Sequence, residues 1–171
     1  AQFIIKHHGR REPMRLELKS IKYAKFMSQE TACYEGKIYV DGKFFATAIN
    51  EGQGGPDAFH RNLNYKGDWN AKFKEIDAFF ARLPKLPSAY FPDGMEQTLE
   101  IWCGKQLDRQ LAKRDLYRLF KTKILYTRNG GLTMYTTGFE NNARIKVREP
   151  RPTILNDLPF EEALEIYMGD K

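Results

Sequence analysis

The sequence predicts an α+β fold, with a mainly antiparallel sheet of two β-hairpins and short strands and with amphipathic helices packed on one face. Alternating polar and apolar residues flank Asp41-Gly42 and Asn129-Gly130, and such dipeptides are typical of two-residue hairpin turns. Between the two hairpins, apolar residues recur at helical spacing. Strands and helices do not alternate regularly, so the pattern does not favour a parallel sheet.

The first hairpin, over residues 31–49, is predicted to belong to a three-stranded antiparallel meander. Residues 15–23 supply its other strand, because polar and apolar side chains alternate there with the period of a half-buried strand. Residues 59–66 have no clear period and are assigned to no element. The second hairpin is predicted over residues 123–137, and residues 153–155 are predicted to form a brief strand.

Three helices are predicted from their apolar stripes. Asp68 is a suitable N-cap for a helix over residues 69–82. A second helix is predicted over residues 95–113, with Asp115 as a candidate to cap a further turn. The third covers residues 159–168. The residues predicted to be mostly buried on these helices are Phe73, Ile76, Phe80, Leu99, Cys103, Leu107 and Leu164.

The chain is predicted to consist of an arm, residues 1–13, and a single α+β domain, residues 14–171. Residues 6–13 of the arm are polar and basic, and the arm is either a loose tail or an extra strand over residues 3–6. The chain has 171 residues and 42% hydrophobic content, which is enough to form one well-packed core. Residues 140–149 are ambiguous and are compatible with a short basic helix.

Composition limits the classes of protein to which the chain can belong. The formal net charge of +6 permits a polyanionic partner without requiring one. The two cysteines, Cys33 and Cys103, are typical of buried thiols in a reducing compartment, so a cytoplasmic location is expected. No apolar run approaches the roughly 18 residues of a membrane-spanning helix, and no membrane partner is predicted.

A glycine-rich loop at the end of the first hairpin is the main candidate for a binding site. Small residues leave its backbone accessible, and polar side chains stand at its rim. A loop that only connects two elements tightly is the alternative interpretation. The candidate ligand- or partner-binding residues are Asn50, Glu51, Gly52, Gly54, Gly55, Asp57 and His60.

This loop does not fit the patterns that mark known nucleotide sites. No Gly-Lys-Ser or Gly-Lys-Thr follows, and Asp57 stands where a dinucleotide fingerprint has its third glycine. The chain has three histidines, of which two lie in the arm. No nucleophile elbow and no metal-ligand spacing occurs, so we predict no catalytic residue, no metal and no cofactor.

Basic residues recur at steps of four along the second predicted helix, and this stripe is a candidate contact for a nucleic-acid backbone. Asp108 and Asp115 interrupt the stripe, so a solvated helix face is the competing interpretation. The candidate nucleic-acid residues are Lys105, Arg109, Lys113, Arg114 and Arg118.

Five short segments of the chain together form a recognisable pattern. They are Ser28-x-Glu30-Thr31-x-Cys33-Tyr34, Tyr39-Val40-Asp41-Gly42-Lys43, Asn50-Glu51-Gly52-x-Gly54-Gly55, Ala143-Arg144-Ile145-Lys146 and the run from Thr153 to Leu164. This pattern resembles a family of small uncharacterised proteins of bacteriophages and prophages. The resemblance covers about residues 14–168, and it is most specific in the glycine-rich loop and the closing segment.

The resemblance implies a phage-type accessory protein in the host cytoplasm, and the family brings no established activity with it. The leading functional hypothesis is therefore a non-catalytic protein that binds a host macromolecule, such as a factor for host takeover or against host defence. The first alternative is a nucleic-acid-binding protein that uses the basic helix. The second is a nucleotide- or phosphate-binding enzyme that uses the glycine-rich loop.

Overall fold

The computed structural model describes residues 3–4, 14–128, 130–135 and 152–169. It confirms the predicted α+β class, with antiparallel strands and amphipathic helices. The strands are β1 (Phe3–Ile4), β2 (Arg15–Tyr23), β3 (Tyr34–Val40), β4 (Lys43–Asn50), β5 (Ala58–Arg61), β6 (Ile124–Arg128) and β7 (Gly131–Tyr135), and the helices are α1 (Trp69–Phe80), α2 (Leu99–Phe120) and α3 (Phe160–Gly169).

The chain divides into two compact units, residues 1–106 and residues 107–171. Helix α2 begins in the first unit and ends in the second. The prediction of one domain over residues 14–171 stays a prediction.

The first unit contains an antiparallel sheet in the order β1-β2-β3-β4-β5. Its central hairpin turns at the predicted dipeptide, where Asp41 and Gly42 have φ of +50° and +78°. Positive φ at both positions is the type I′ geometry that matches the twist of the flanking strands. The Asp41 side chain also accepts a hydrogen bond of 2.9 Å from the Arg15 N–H, which links the turn to β2.

The sheet has two strands more than the predicted meander. Strand β1 pairs with β2, in agreement with the interpretation of the arm as an extra strand over its residues 3–4. Strand β5 pairs with β4 through four residues. The sequence pattern missed β5 because three of its four residues are exposed and Phe59 is half-buried, so no alternation of polar and apolar side chains marks it.

Phe45 forms a β-bulge in β4 and contacts the first residue of helix α1, Trp69. Ile38 pairs with Ala46 and Tyr39 pairs with Phe44, so Phe45 is the extra residue of β4. Its carbonyl accepts hydrogen bonds from the Asn62 N–H at 3.0 Å and from Trp69 Nε1 at 3.2 Å. The Phe45 and Trp69 rings stack with centroids 5.2 Å apart.

Helix α1 begins where the sequence predicted it. The Asp68 carboxylate accepts a hydrogen bond of 3.0 Å from the Ala71 N–H, as an N-cap should. Ile76 and Phe80 are buried, but Phe73 is half-buried, and its ring contacts the rings of Phe45, Phe59 and Trp69.

The predicted bounds of α2 were wrong at both ends. Met95 cannot begin the helix because its N–H and carbonyl form hydrogen bonds of 2.8 Å with Leu86. The helix instead begins at Leu99, after Thr98, whose hydroxyl accepts from the Ile101 N–H at 3.2 Å. It continues through Asp115 without a break and ends at Phe120.

The second unit contains the second hairpin and helix α3. Strands β6 and β7 pair along their whole length, with Ile124 opposite Tyr135 at one end and Arg128 opposite Gly131 at the other. This pairing confirms the predicted hairpin, although Asn129 in its turn lies outside the described residues. Ile154 forms a single bridge with Tyr126 rather than a strand, and a 3-10 turn follows at Leu155–Asp157. The ambiguous residues 140–149 also lie outside the described part.

The core of this second unit joins helix α2, strand β6 and helix α3. Its buried residues include Leu116, Leu125, Leu155 and Leu164.

Six of the seven residues predicted to be buried in the core are buried, and the exception is Phe73. The six are Ile76, Phe80, Leu99, Cys103, Leu107 and Leu164.

Candidate functional site

Asn50 organises the glycine-rich loop from the last position of β4. It is 7% exposed, and its side chain makes four hydrogen bonds. Its oxygen accepts from the Thr31 hydroxyl at 2.7 Å and from the Gly52 N–H at 2.9 Å. Its nitrogen donates to the Gly55 carbonyl at 3.1 Å and to Asp57 Oδ1 at 2.9 Å. One buried amide therefore fixes both ends of the loop.

Gly52 joins the loop to the segment that connects β2 and β3. Its carbonyl accepts from the N–H groups of Gln29, Glu30 and Thr31 at 2.9, 3.0 and 3.4 Å. Gly52 is buried and has φ of +83°, and a Cβ atom there would collide with the Met27 carbonyl oxygen. Glycine is required at this position by both conformation and space.

Gly54 and Gly55 are adjacent in the sequence, but their surroundings in the structure differ. Gly54 has φ of +86°, and a Cβ there would overlap the Glu30 carboxylate. At Gly55 a Cβ would meet nothing within 4 Å, and its φ is not in the left-handed region. The N–H of Gly54 donates to the Thr31 hydroxyl at 3.2 Å. The N–H groups of Gly52 and Gly54 are thus both used within the protein, which disfavours a phosphate cradle at these two positions.

Asp57 connects the far end of the loop to the interior of the first unit. Its carboxylate accepts a very short hydrogen bond from the Tyr34 hydroxyl, and its N–H donates to Glu100 Oε1 at 3.0 Å. Burial is the main cause that raises the pKa of Tyr34, and the Asp57 carboxylate raises it further. Burial likewise raises the pKa of the Cys103 thiol. Both groups therefore stay protonated at neutral pH.

The remaining predicted loop residues lie apart from this network. His60 is exposed on β5 opposite Thr47, and no hydrogen bond joins it to the loop within the described residues. Glu51 is exposed and lines an open cleft beside the loop. The structure therefore brings Asn50, Gly52, Gly54, Gly55 and Asp57 together and leaves Glu51 and His60 outside the network.

The cleft has a volume of about 400 Å³ and lies entirely within the first unit. Tyr23, Met27 and Ile49 contribute apolar surface to it. Polar and charged groups also line it. Two of them, Lys22 and Glu35, form an ion pair with 3.3 Å between Nζ and Oε1. The lining residues are Lys22, Tyr23, Ala24, Met27, Cys33, Tyr34, Glu35, Ile49, Asn50, Glu51 and Gln53.

A 3-10 turn over Lys25–Met27 carries exposed apolar side chains beside this cleft. Phe26 is 88% exposed and Met27, which lines the cleft, is 47% exposed. We call the cleft together with Phe26 the turn–loop surface. The sequence interpretation missed Phe26 and Met27, although an apolar pair between charged and polar residues, outside any strand or helix pattern, was a signal that could have found them.

The predicted nucleic-acid residues on α2 fall into two groups. The guanidinium of Arg109 donates to Glu165 at 2.6 Å and to Glu161 at 2.7 Å, and Lys113 donates to Glu161 at 2.6 Å. These ion pairs reduce the positive charge that the predicted Lys105–Arg109–Lys113 face can offer to phosphates. Lys105, Arg114 and Arg118 remain exposed.

Comparison with protein-family models, curated proteins and solved structures finds no match for this chain. The resemblance to small phage and prophage proteins therefore stays a prediction. Among the helices of the described residues, none combines the length and the apolarity needed to cross a membrane. Within the same residues, no three His, Cys, Asp or Glu side chains come together as a group that could hold a metal ion.

Proposed function

We propose that this chain is a non-catalytic binding protein, a phage-type accessory factor that engages a host protein through its turn–loop surface. The observation that carries the proposal is Phe26, a large apolar side chain that is 88% exposed and directly precedes Met27, which lines the cleft. Aromatic side chains, Phe among them, are enriched at the buried cores of protein–protein interfaces. Charged groups of both signs at the cleft, Lys22, Glu35 and Glu51, are suited to a polar rim around such an anchor.

The rigidity of the surface supports the same proposal. The three N–H groups that bond to the Gly52 carbonyl hold the segment after the 3-10 turn against the loop, and the Asn50 side chain holds the loop itself. A surface that is already ordered loses less conformational entropy on binding. The loop's glycines then serve the close packing of two segments, rather than the open backbone that the sequence suggested.

The chemistry of the buried polar cluster supports a non-catalytic role. Tyr34 and Cys103 have raised pKa values because they are buried, so neither supplies an anionic nucleophile at neutral pH. His60, the histidine nearest to the loop in sequence, is outside the hydrogen-bond network of Asn50 and Asp57. A general base therefore has no oriented partner in this network.

The proposal is tested by capture of partners from bacterial host lysate with the immobilised protein and with Phe26→Ser. We expect a host protein to be retained by the unaltered chain, also after nuclease treatment, and to be lost with Phe26→Ser. Truncation of such an anchor costs at least about 2 kcal/mol of binding energy, or roughly 30-fold in affinity.

Leu63→Ser is the matched control, because Leu63 is also 88% exposed and belongs to the same unit. Leu63 lies between β5 and α1, whereas Phe26 lies in the 3-10 turn next to Met27, which lines the cleft. It removes similar apolar surface and should leave capture unchanged. Equal retention of the host protein by the unaltered chain and by Phe26→Ser would show that the turn–loop surface does not bind it.

A further inference from the structure

We propose that the second unit binds single-stranded nucleic acid in a groove formed by the last turns of α2 and the first turn of α3. This inference goes beyond the proposed protein-binding function and concerns a different surface. The groove has a volume of about 560 Å³. It is lined by Lys113, Arg114, Tyr117, Arg118, Lys121 and Phe160, with Glu161 as its acidic member.

Tyr117 supplies a platform on which a base can stack. Its side chain is 64% exposed, and its ring contacts that of Phe160 with centroids 5.6 Å apart. Phe160 in turn contacts the Phe120 ring edge-on at 6.2 Å, so the Tyr117 ring is supported from the core side. A supported, exposed aromatic ring is the element by which proteins hold unstacked bases of any sequence.

The cations that line the groove lie on the same helix as Tyr117 or directly after its last residue. Arg114, Tyr117, Arg118 and Lys121 recur at steps of three and four, which places them on one face of the helix. The Lys121 ammonium lies 6.0 Å from the centre of the Tyr117 ring. Arg118 forms an exposed ion pair of 3.3 Å with Asp115, and such pairs are weak enough to exchange for phosphate.

Charge pairing within the second unit explains why this face differs from the one that the sequence predicted. Glu161 binds Arg109 and Lys113 and so withdraws both cations from the stripe. Neither Arg114 nor Lys121 has a carboxylate partner in the part of the chain that the structure describes. The available positive charge therefore lies beside Tyr117.

The combination of stacking and charge selects a single strand over a duplex. Base faces in a duplex are covered by their neighbours, whereas a single strand offers them to an aromatic ring while its phosphates meet the cations. An acidic peptide would satisfy the cations but would leave the exposed ring without a stacking partner.

The test is fluorescence anisotropy of the full chain with labelled oligo-dT and oligo-U, with a duplex of equal length and with poly-Glu as competitor. We expect both single strands to bind more tightly than the duplex in low salt. Tyr117→Ala should weaken that binding by about five-fold or more, and Tyr117→Phe should retain it. Arg114→Gln with Arg118→Gln should flatten the salt dependence by about 0.7 in log–log slope for each phosphate that the protein no longer neutralises.

Two controls separate the groove from general charge and exposure. Tyr90→Ala removes a tyrosine that is 89% exposed and lies in the first unit, and Lys74→Gln removes an exposed cation of α1 that does not line the groove. Both should bind like the unaltered chain. The inference is overturned by absence of binding in low salt, by undiminished binding of Tyr117→Ala, by a preference for duplex, or by full displacement with poly-Glu at equal charge concentration.

Discussion

At the scale of single residues, the candidate surface depends on Asn50. An asparagine side chain has two N–H donors and an oxygen with two lone pairs, and Asn50 uses all four in bonds of 2.7–3.1 Å. Because the residue is buried, loss of any partner would leave a polar group without compensation. A buried polar group that is fully satisfied specifies one conformation of the loop, and this explains how a glycine-rich segment becomes an ordered surface.

The loop glycines differ in what they tolerate, and this gives a first prediction. Gly52→Ala should lower the free energy of unfolding by more than about 1 kcal/mol, because an L side chain is strained at φ of +83° and meets the Met27 carbonyl. Gly55→Ala should change it by less than about 1 kcal/mol and serves as the control, since its Cβ would enter open space. Urea unfolding of both variants measures the difference, and equal losses would contradict the described loop conformation.

At the scale of elements, the apolar face of α1 divides into two kinds of position. Phe80 is buried, whereas Phe73 is half-buried within an aromatic cluster. Phe80→Ala should therefore cost about 3–5 kcal/mol of stability, and Phe73→Ala should cost clearly less. Denaturant unfolding of the two variants tests the order, and a larger loss at Phe73 would mean that the helix is rotated from its described position.

The ion pairs between α2 and α3 predict a dependence of stability on pH. The hydrogen bond from Lys113, followed by that from Arg109, lowers the pKa of Glu161 below its ordinary value of 4.5. A carboxylate with a depressed folded pKa contributes stability above its unfolded pKa, and the contribution is lost as pH falls through the folded pKa. The stabilisation by Glu161 should therefore be complete near neutrality and should disappear on acidification below about pH 4.5.

Thermal unfolding of Glu161→Gln measures this effect. The variant should be less stable than the unaltered chain at pH 7, and the difference should shrink as the pH falls to about 3. Glu162→Gln is the control, because Glu162 is exposed on the same helix and forms no ion pair with any described residue. A difference that stays constant over this range would show that the Glu161 charge does not stabilise the fold.

Turn chemistry and hydrophobic period predicted most elements, because both signals are local. Asp41-Gly42 predicted the first hairpin, and Asp68 predicted the start of α1. Features that depend on contacts between residues far apart in the chain could not be predicted from the sequence. The start of α2 depends on the pairing of Leu86 with Met95, and the neutralisation of Arg109 depends on Glu161, which lies 52 residues away.

The candidate site was predictable to a similar extent. The polar and glycine residues of the loop identified the correct segment, and five of the seven candidates meet in one network. The segment between β2 and β3 that contacts the loop was not predicted. Its Thr31 side chain and Met27 carbonyl reach the loop only because β3 pairs with β4. His60 was included because it is close in sequence, but β5 carries it away from the loop.

At the scale of the whole molecule, the two compact units present surfaces of different chemistry. The first unit offers an apolar anchor beside a cleft with charges of both signs. The second offers cations around an exposed tyrosine. If both proposals hold, the chain contacts a protein through one unit and a nucleic-acid strand through the other. Substitutions at Phe26 and at Tyr117 should then affect the two activities independently.

The most direct test of the central claim is site-specific photo-crosslinking in the bacterial host. Phe26 is replaced by p-benzoylphenylalanine, which retains an aromatic ring and bonds covalently to any protein that touches it under ultraviolet light. Leu63, equally exposed at 88%, is replaced in the same way as the control. If Phe26 anchors a host protein, position 26 should give a discrete crosslinked host protein and position 63 should give none. Absence of a crosslink at 26, or the same product from both positions, would contradict it.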